Sequence, residues 1–145
     1  MDARVVRAEV AAEPVDPAAV LGSVAQPGAG ASVLFVGTVR DHDPQATGEV
    51  VRLDYTSHPS APDRIGEIVH DALAEAGAEP EARVAAVHRI GRLAVGEVAF
   101  VVAVSSAHRA RAFALCELIV ERVKQQLPIW KQQFEADGSY RWSGL

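Results

Sequence analysis

The chain has 145 residues, 49% of them hydrophobic and 23% charged, which is enough apolar material for one ordinary core. A formal charge of −5 argues against general nucleic-acid binding, which needs a basic footprint to neutralise phosphates. No apolar run is long enough to span a membrane, and the opening MDARVVRAEV lacks a basic-then-apolar signal pattern. The expectation is one domain over residues 1–145, located in the cytoplasm.

Residues 5–10 alternate well enough to form a first strand. Asp16 and Pro17 read as N-cap and first helical position of a short helix that ends at the turn-rich QPGAG. Residues 32–40, SVLFVGTVR, are β-branched and apolar and predict a central strand, with Gly37 marking a bulge or a close backbone approach. The polar DHDPQATG at 41–48 is a loop that a ligand could order. Residues 49–56 predict another strand, antiparallel to the one before it.

The pattern over 63–77 places Ile65, Ile68, Val69, Ala72, Leu73 and Ala76 on one helical face, with Gly77 as the stop and His70 on the solvated side. Residues 83–90 form a strand. A turn at 95–97 leads into VAFVVAVSS at 98–106, the most buried strand of the set.

The rest is organised around residues 105–131. Phe113, Cys116, Val120, Val123 and Leu127 recur at helical spacing, and Leu115 and Ile119 widen the stripe into a well-buried face. Ser106 is the expected N-cap. Pro128 lacks an amide donor and disfavours helix at Leu127, so Ile129, Trp130 and Lys131 leave as an extended segment. An Asp137-Gly138 turn between aromatics predicts a final hairpin. The sum is an α+β domain with a mainly antiparallel sheet and helices packed on one side of it.

One cysteine excludes an internal disulfide, and Cys116 on the apolar stripe reads as a small hydrophobe. The five histidines never pair at ligand spacing and no CxxC or HExxH is present, so no metal is expected. Ser105 and Ser106 lack the context of a nucleophile elbow, which sets aside a hydrolase. Three basic clusters could gather into one cationic pocket for a small anion: His88-Arg89 with Arg92, His108-Arg109 with Arg111, and Lys124 with Lys131.

Several of these residues carry two readings. Lys124 is either a cation favoured by the carbonyl-rich end of a helix or a partly desolvated ammonium fit for proton transfer. His108 either caps and packs or takes a catalytic task. Arg89 reads as one half of a structural ion pair.

FVGTVR at 35–40, HRIGRLAVGE at 88–97, VAVSSAHRARAF at 102–113, KQQLPIWK at 124–131 and DGSYRW at 137–142 together resemble the large, catalytic subunit of molybdopterin synthase. Five motifs in register cover nearly the whole chain. The resemblance implies an α/β hammerhead fold and a sulfurtransferase of molybdenum cofactor biosynthesis. The substrate it implies is cyclic pyranopterin monophosphate, converted to molybdopterin without a further cofactor. The sulfur donor it implies is the C-terminal Gly-Gly thiocarboxylate of a small ubiquitin-like subunit, within a heterotetramer built on a homodimer of large subunits.

By match to the family pattern, Lys124 stands beside the thiocarboxylate and Lys131 holds the pterin. Arg40, His108 and Arg109 form the anionic-substrate pocket, and Phe35 is either a pocket wall or plain core packing. Both reactants are anions, and fixed cations are what bring two anions together.

Overall fold

The computed structural model describes residues 2–44, 46 and 48–145. Gln45 and Thr47 of the predicted polar loop lie outside the described residues. In chain order the elements are β1 (Val5–Ala11), α1 (Pro17–Ser23), β2 (Ala31–Thr38), β3 (Val50–Ser57), α2 (Ala61–Ala76), β4 (Arg83–Arg89), β5 (Gly91–Ala94), β6 (Val98–Ser106), α3 (Arg109–Gln126), β7 (Ile129–Glu135) and β8 (Tyr140–Gly144). Among the described residues, no helix is long and apolar enough to cross a membrane.

Two four-stranded sheets form where one was expected. The first has the order β1-β4-β6-β2, with β1 parallel to β4 and the other pairs antiparallel. The second, β5-β3-β7-β8, is antiparallel throughout. The mainly antiparallel expectation holds, but β3 does not pair with β2. After β2 the polar segment carries the chain into the second sheet, where β3 lies between β5 and β7.

The helices also divide differently from the prediction. β4 and β6 are buried on both faces, so both faces need a cover. On one face Val84, Ala86, Phe100, Val102 and Val104 pack with α2 and α3 in the main core. On the other, Ala85, Val87, Val101 and Ala103 pack with Val20 and Val24 at α1. The helices therefore sit on both sides of the first sheet.

The local signals in the sequence account for most element ends. Asp16 Oδ1 accepts the Ala18 amide at 3.0 Å, and Pro17 opens α1. Gly77 ends α2 in the left-handed conformation, φ 60°, where a side chain would strain the backbone. Gly37 sits at a register shift in β2, and a Cβ there would lie 3.3 Å from the Phe35 ring.

Two expectations for α3 are corrected. Its N-cap is His108, while Ser106 still belongs to β6 and bonds the Glu79 carboxylate. Phe113 is 63% exposed, because Ala112, Cys116, Ile119 and Val123 hold the core-facing line and Phe113 lies one residue round the helix from it.

Candidate active site

The site begins where α3 stops. Leu127 turns to the extended region, φ −73° and ψ 125°, as the residue before a proline prefers, while its amide still bonds the Val123 carbonyl at 2.9 Å. The chain thereby passes from the last turn of α3, which carries Lys124, straight into β7, which carries Lys131. In the second sheet Lys131 lies opposite Tyr55 of β3 on one side and Ser143 of β8 on the other.

Beside the lysines runs a line of stacked rings. The Tyr55 ring meets the His88 imidazole edge-on at 5.1 Å, and His88 lies against Phe100 at 5.3 Å and 29°. Phe100 in turn meets Phe35 edge-on at 5.8 Å. The line therefore crosses from edge strand β2 through β6 and β4 of the first sheet to β3 of the second. Strand alternation sets its direction: His88 follows Val84 and Ala86 on the face of β4 that turns to the main core, beneath the layer of α2 and α3.

The electrostatics single out Lys124. It is exposed by surface area, yet desolvation lowers its pKa, and the charge of Lys131 lowers it further while Glu121 opposes. Among the described residues neither lysine has a hydrogen-bond or ion-pair partner. His88 is 3% exposed, and desolvation brings its pKa down to about 4, with the Lys124 charge adding to the fall and the bond to the Arg89 carbonyl opposing it. Burial pushes the Tyr55 phenol up to about 12. At neutral pH the site is thus two ammonium groups beside a neutral imidazole and a neutral phenol. That arrangement attracts anions and provides a lysine that gives up its proton more readily than an ordinary one.

The predicted residues fall at two ends of the molecule. Arg40 is exposed just beyond β2, whose register sets Gly37 opposite Phe100, so it stands at the same end of the first sheet as His88. Phe35 belongs to the ring line and packs against the main core, which is the packing reading of the two. His108 and Arg109 lie at the far end of α3, where β6 and β2 pair Ser106 with Ala31. Arg109 and Lys124 are about 22 Å apart along the helix axis, at 1.5 Å per residue. A single chain does not bring those two groups together.

Nor do the three basic clusters gather into one pocket. Arg89 is bound to Glu97, and its Nε is buried without a partner. Arg92 lies 3.6 Å from Asp54, and Arg111 donates to the Ala76 carbonyl at 3.3 Å. Of those clusters only His88 joins the lysines. Cys116 is buried, its thiol pushed up to about 11 by desolvation. Among the described residues no group of three or more His, Cys, Asp or Glu side chains could hold a metal ion.

The sequence reading places His88 only in a basic cluster with Arg89 and Arg92, and the alternation of β4, where it follows apolar residues, marks it instead as an inward-facing histidine. Tyr55 was missed and left a weaker trace, an aromatic two residues after the buried Leu53 on the same face of β3. Composition held a third signal: Lys124 and Lys131 are the only lysines in the chain, every other fixed cation being arginine.

The chain thus sets two lysines at the end of α3 and the start of β7, beside a line of stacked rings on a two-sheet α+β scaffold. The sequence profile described as "MoaE protein" matches residues 10–126. The molybdopterin synthase catalytic subunit 1 of Mycobacterium tuberculosis is 37% identical over 136 residues, covering 91% of this chain and 86% of the relative. The molybdopterin synthase catalytic subunit of Halalkalibacterium halodurans is 38% identical over 138 residues, covering 91% and 81%. The molybdopterin synthase structure from Staphylococcus aureus superposes with a TM-score of 0.84 at 30% identity, over 95% of this chain and 97% of that one. A Helicobacter pylori complex of subunits 1 and 2 of molybdopterin-converting factor shares the fold, with a TM-score of 0.68 at 19% identity over 97% and 90% of the two chains. The chain belongs to the MoaE family of molybdopterin synthase catalytic subunits.

Proposed function

We propose that this chain catalyses sulfur transfer from the C-terminal thiocarboxylate of a small ubiquitin-like subunit to cyclic pyranopterin monophosphate, forming the dithiolene of molybdopterin. The observation that carries the reading is the proximity of Lys124 and Lys131, one from each side of the Pro128 break, with Lys124 desolvated and neither lysine in an ion pair among the described residues. Two anionic reactants repel each other, and fixed ammoniums in a partly dry site offset that repulsion without reorganising.

In this reading Lys124 serves the acyl end. Its ammonium stabilises negative charge on the acyl oxygen as water cleaves the carbon–sulfur bond, which returns the carrier as a carboxylate and leaves the sulfur on the pterin, and its lowered pKa lets it pass a proton during that step. Lys131 holds the pterin, and Arg40 at the same end of the sheet supplies a guanidinium fork for phosphate. The protein brings no cofactor of its own to the reaction. The small subunit acts as sulfur carrier; a two-subunit assembly has a parallel in the Helicobacter pylori complex of subunits 1 and 2 of molybdopterin-converting factor, one chain of which shares this fold.

His108 and Arg109 join this pocket only through a second copy of the chain, because one helix holds them about 22 Å from Lys124. A homodimer in which the α3 start of one protomer meets the α3 end of its partner would complete two equivalent sites, and one carrier at each gives a heterotetramer.

The test is a single-turnover reaction of the purified chain, a thiocarboxylated ubiquitin-like partner and the cyclic pterin phosphate, followed by mass spectrometry. Wild type should form the dithiolene, and Lys124→Ala should lose on the order of a hundredfold or more in rate while still binding the partner. No product from wild type despite tight partner binding would reduce the chain to a docking subunit. Unchanged pterin affinity in Lys131→Glu would remove the role given to that lysine.

A further inference from the structure

We propose that Arg89 and Glu97 are positioning residues for Arg40: their ion pair fixes the turn to which the Arg40 backbone is tied. The inference rests on the sulfur-transfer reading for the role of Arg40, and on hydrogen-bond geometry for the rest.

The tie starts one residue before Arg40. Val39 lies just past β2, and both of its backbone groups are bonded to the turn between β5 and β6. Its N–H donates to the Glu97 carbonyl at 3.0 Å, and its carbonyl accepts the Gly96 N–H at 2.7 Å. One residue after Arg40, the Asp41 carbonyl accepts the Val50 N–H at 3.0 Å. Val39 is 2% exposed and packs with Val50, Leu53, Leu93 and Ala99. Arg40 is thus an exposed side chain on a backbone gripped from both sides. A cation on a fixed backbone has less freedom to lose when it binds an anion.

That grip is only as firm as the turn that provides it. Residues 94–97 leave β5 in the second sheet and enter β6 in the first, with Gly96 at φ 90° and the Glu97 N–H on the Ala94 carbonyl. A glycine turn is free to move unless something anchors it. The anchor is the Glu97 carboxylate, bonded to Arg89 Nη1 at the end of β4. Because β4 pairs with β1 on one side and β6 on the other, Arg89 stands on an inner strand of the first sheet.

For stability alone the arrangement is a poor one. The Arg89 side chain is 14% exposed, and its Nε is buried with no hydrogen-bond partner among the described residues. A buried orphan donor costs free energy, and a buried ion pair often adds nothing over an apolar side chain of similar size. What the pair adds is geometry. It also spans the motif HRIGRLAVGE at 88–97, from the second residue to the last.

Three single variants and one double separate positioning from folding. Arg89→Met deletes the bond and keeps the length of the side chain, Glu97→Gln leaves an oxygen that accepts from Arg89, and Arg40→Ala removes the group acted upon. Arg89→Met should weaken equilibrium binding of the cyclic pterin phosphate about tenfold, with the single-turnover rate at saturating pterin within about twofold of wild type. Glu97→Gln should keep most of the affinity. Arg40→Ala should weaken binding about tenfold or more, and Arg89→Met/Arg40→Ala should bind no more weakly than Arg40→Ala alone. Losses that multiply in the double variant would overturn the proposal. So would unchanged affinity in Arg89→Met, or equal losses in Arg89→Met and Glu97→Gln.

A second measurement needs no substrate. In Arg89→Met the Val39 amide should exchange its hydrogen about tenfold or more faster than in wild type, while the amides within β6 keep their rates. An unchanged Val39 rate would overturn the proposal, and so would equal acceleration across β6, which assigns the pair to global stability. Should Arg89→Met fail to fold, Glu97→Ala removes the same bond from its more exposed end, and the same readouts decide. A wild-type chain that binds no cyclic pterin phosphate overturns the role given to Arg40, while Val39 exchange still tests the tie itself.

Discussion

At the scale of single residues, burial decides which ionisable groups act as charges. His88 has a folded pKa of about 4 against an ordinary value of 6.5, so between those two values the unfolded chain binds the proton and the folded chain does not. Stability contributed by the neutral ring is fully present above pH 6.5 and is lost as pH falls through about 4, roughly 3 kcal/mol in all. Urea denaturation of wild type and His88→Gln at pH 7, 5.5 and 4.5 would show it. The two stability curves should converge as pH falls, and a wild-type advantage that is constant with pH would contradict the burial argument.

Cys116 is a second case. A buried thiol raised to about 11 is almost entirely protonated at pH 8, so a disulfide reagent should modify it only after unfolding. Rapid reaction in native buffer would place that face of α3 at the surface.

At the scale of elements, short signals fix ends and long patterns fix faces. α1 has seven residues, too few to hold together by propensity, and depends on its cap and on Val20 packing against the sheet. Asp16→Ala should therefore cost about 1 kcal/mol, seen as a lower denaturation midpoint with an unchanged slope.

The same division explains what the sequence revealed. Asp16-Pro17, Gly77 and Leu127-Pro128 are local instructions, readable because the physics they invoke lies within a few residues. The buried faces of α2 and β6 were readable from period. The split into two sheets was not, because nothing within residues 41–49 states which strand the chain will pair with next. Phe113 was misplaced for a related reason: a helix with apolar residues at 112, 113, 115, 116, 119 and 120 offers two overlapping stripes, and only the packing partner chooses between them.

Of the site, the paired lysines were legible from their position around Pro128. The ring line behind them joins β2, β6, β4 and β3, strands from two sheets, and only tertiary pairing brings those together.

At the scale of the whole molecule, α3 acts as a spacer with a basic group at each end. Arg109 and Lys124 cannot serve one small substrate from the same chain, so the proposed site needs two chains. A mixing experiment tests this directly. Lys124→Ala and Arg109→Ala proteins, each of low activity, are unfolded together and refolded or co-expressed. Random pairing leaves one intact site in each mixed dimer, so activity should recover to about a quarter of wild type. No recovery, with mixed dimers demonstrated by mass spectrometry, would place both residues' work within one protomer.

The scarcity of lysine has a further consequence for anyone handling the protein. Twelve arginines carry the ordinary surface charge, while the only side-chain amines are the two at the site. An amine-acylating reagent, elsewhere an indiscriminate surface label, becomes here a site-directed one. Lys124, whose lowered pKa leaves more free amine near pH 8, should be acylated ahead of Lys131. Intact mass would then report the occupancy of the site, with only the chain's terminal amine to subtract.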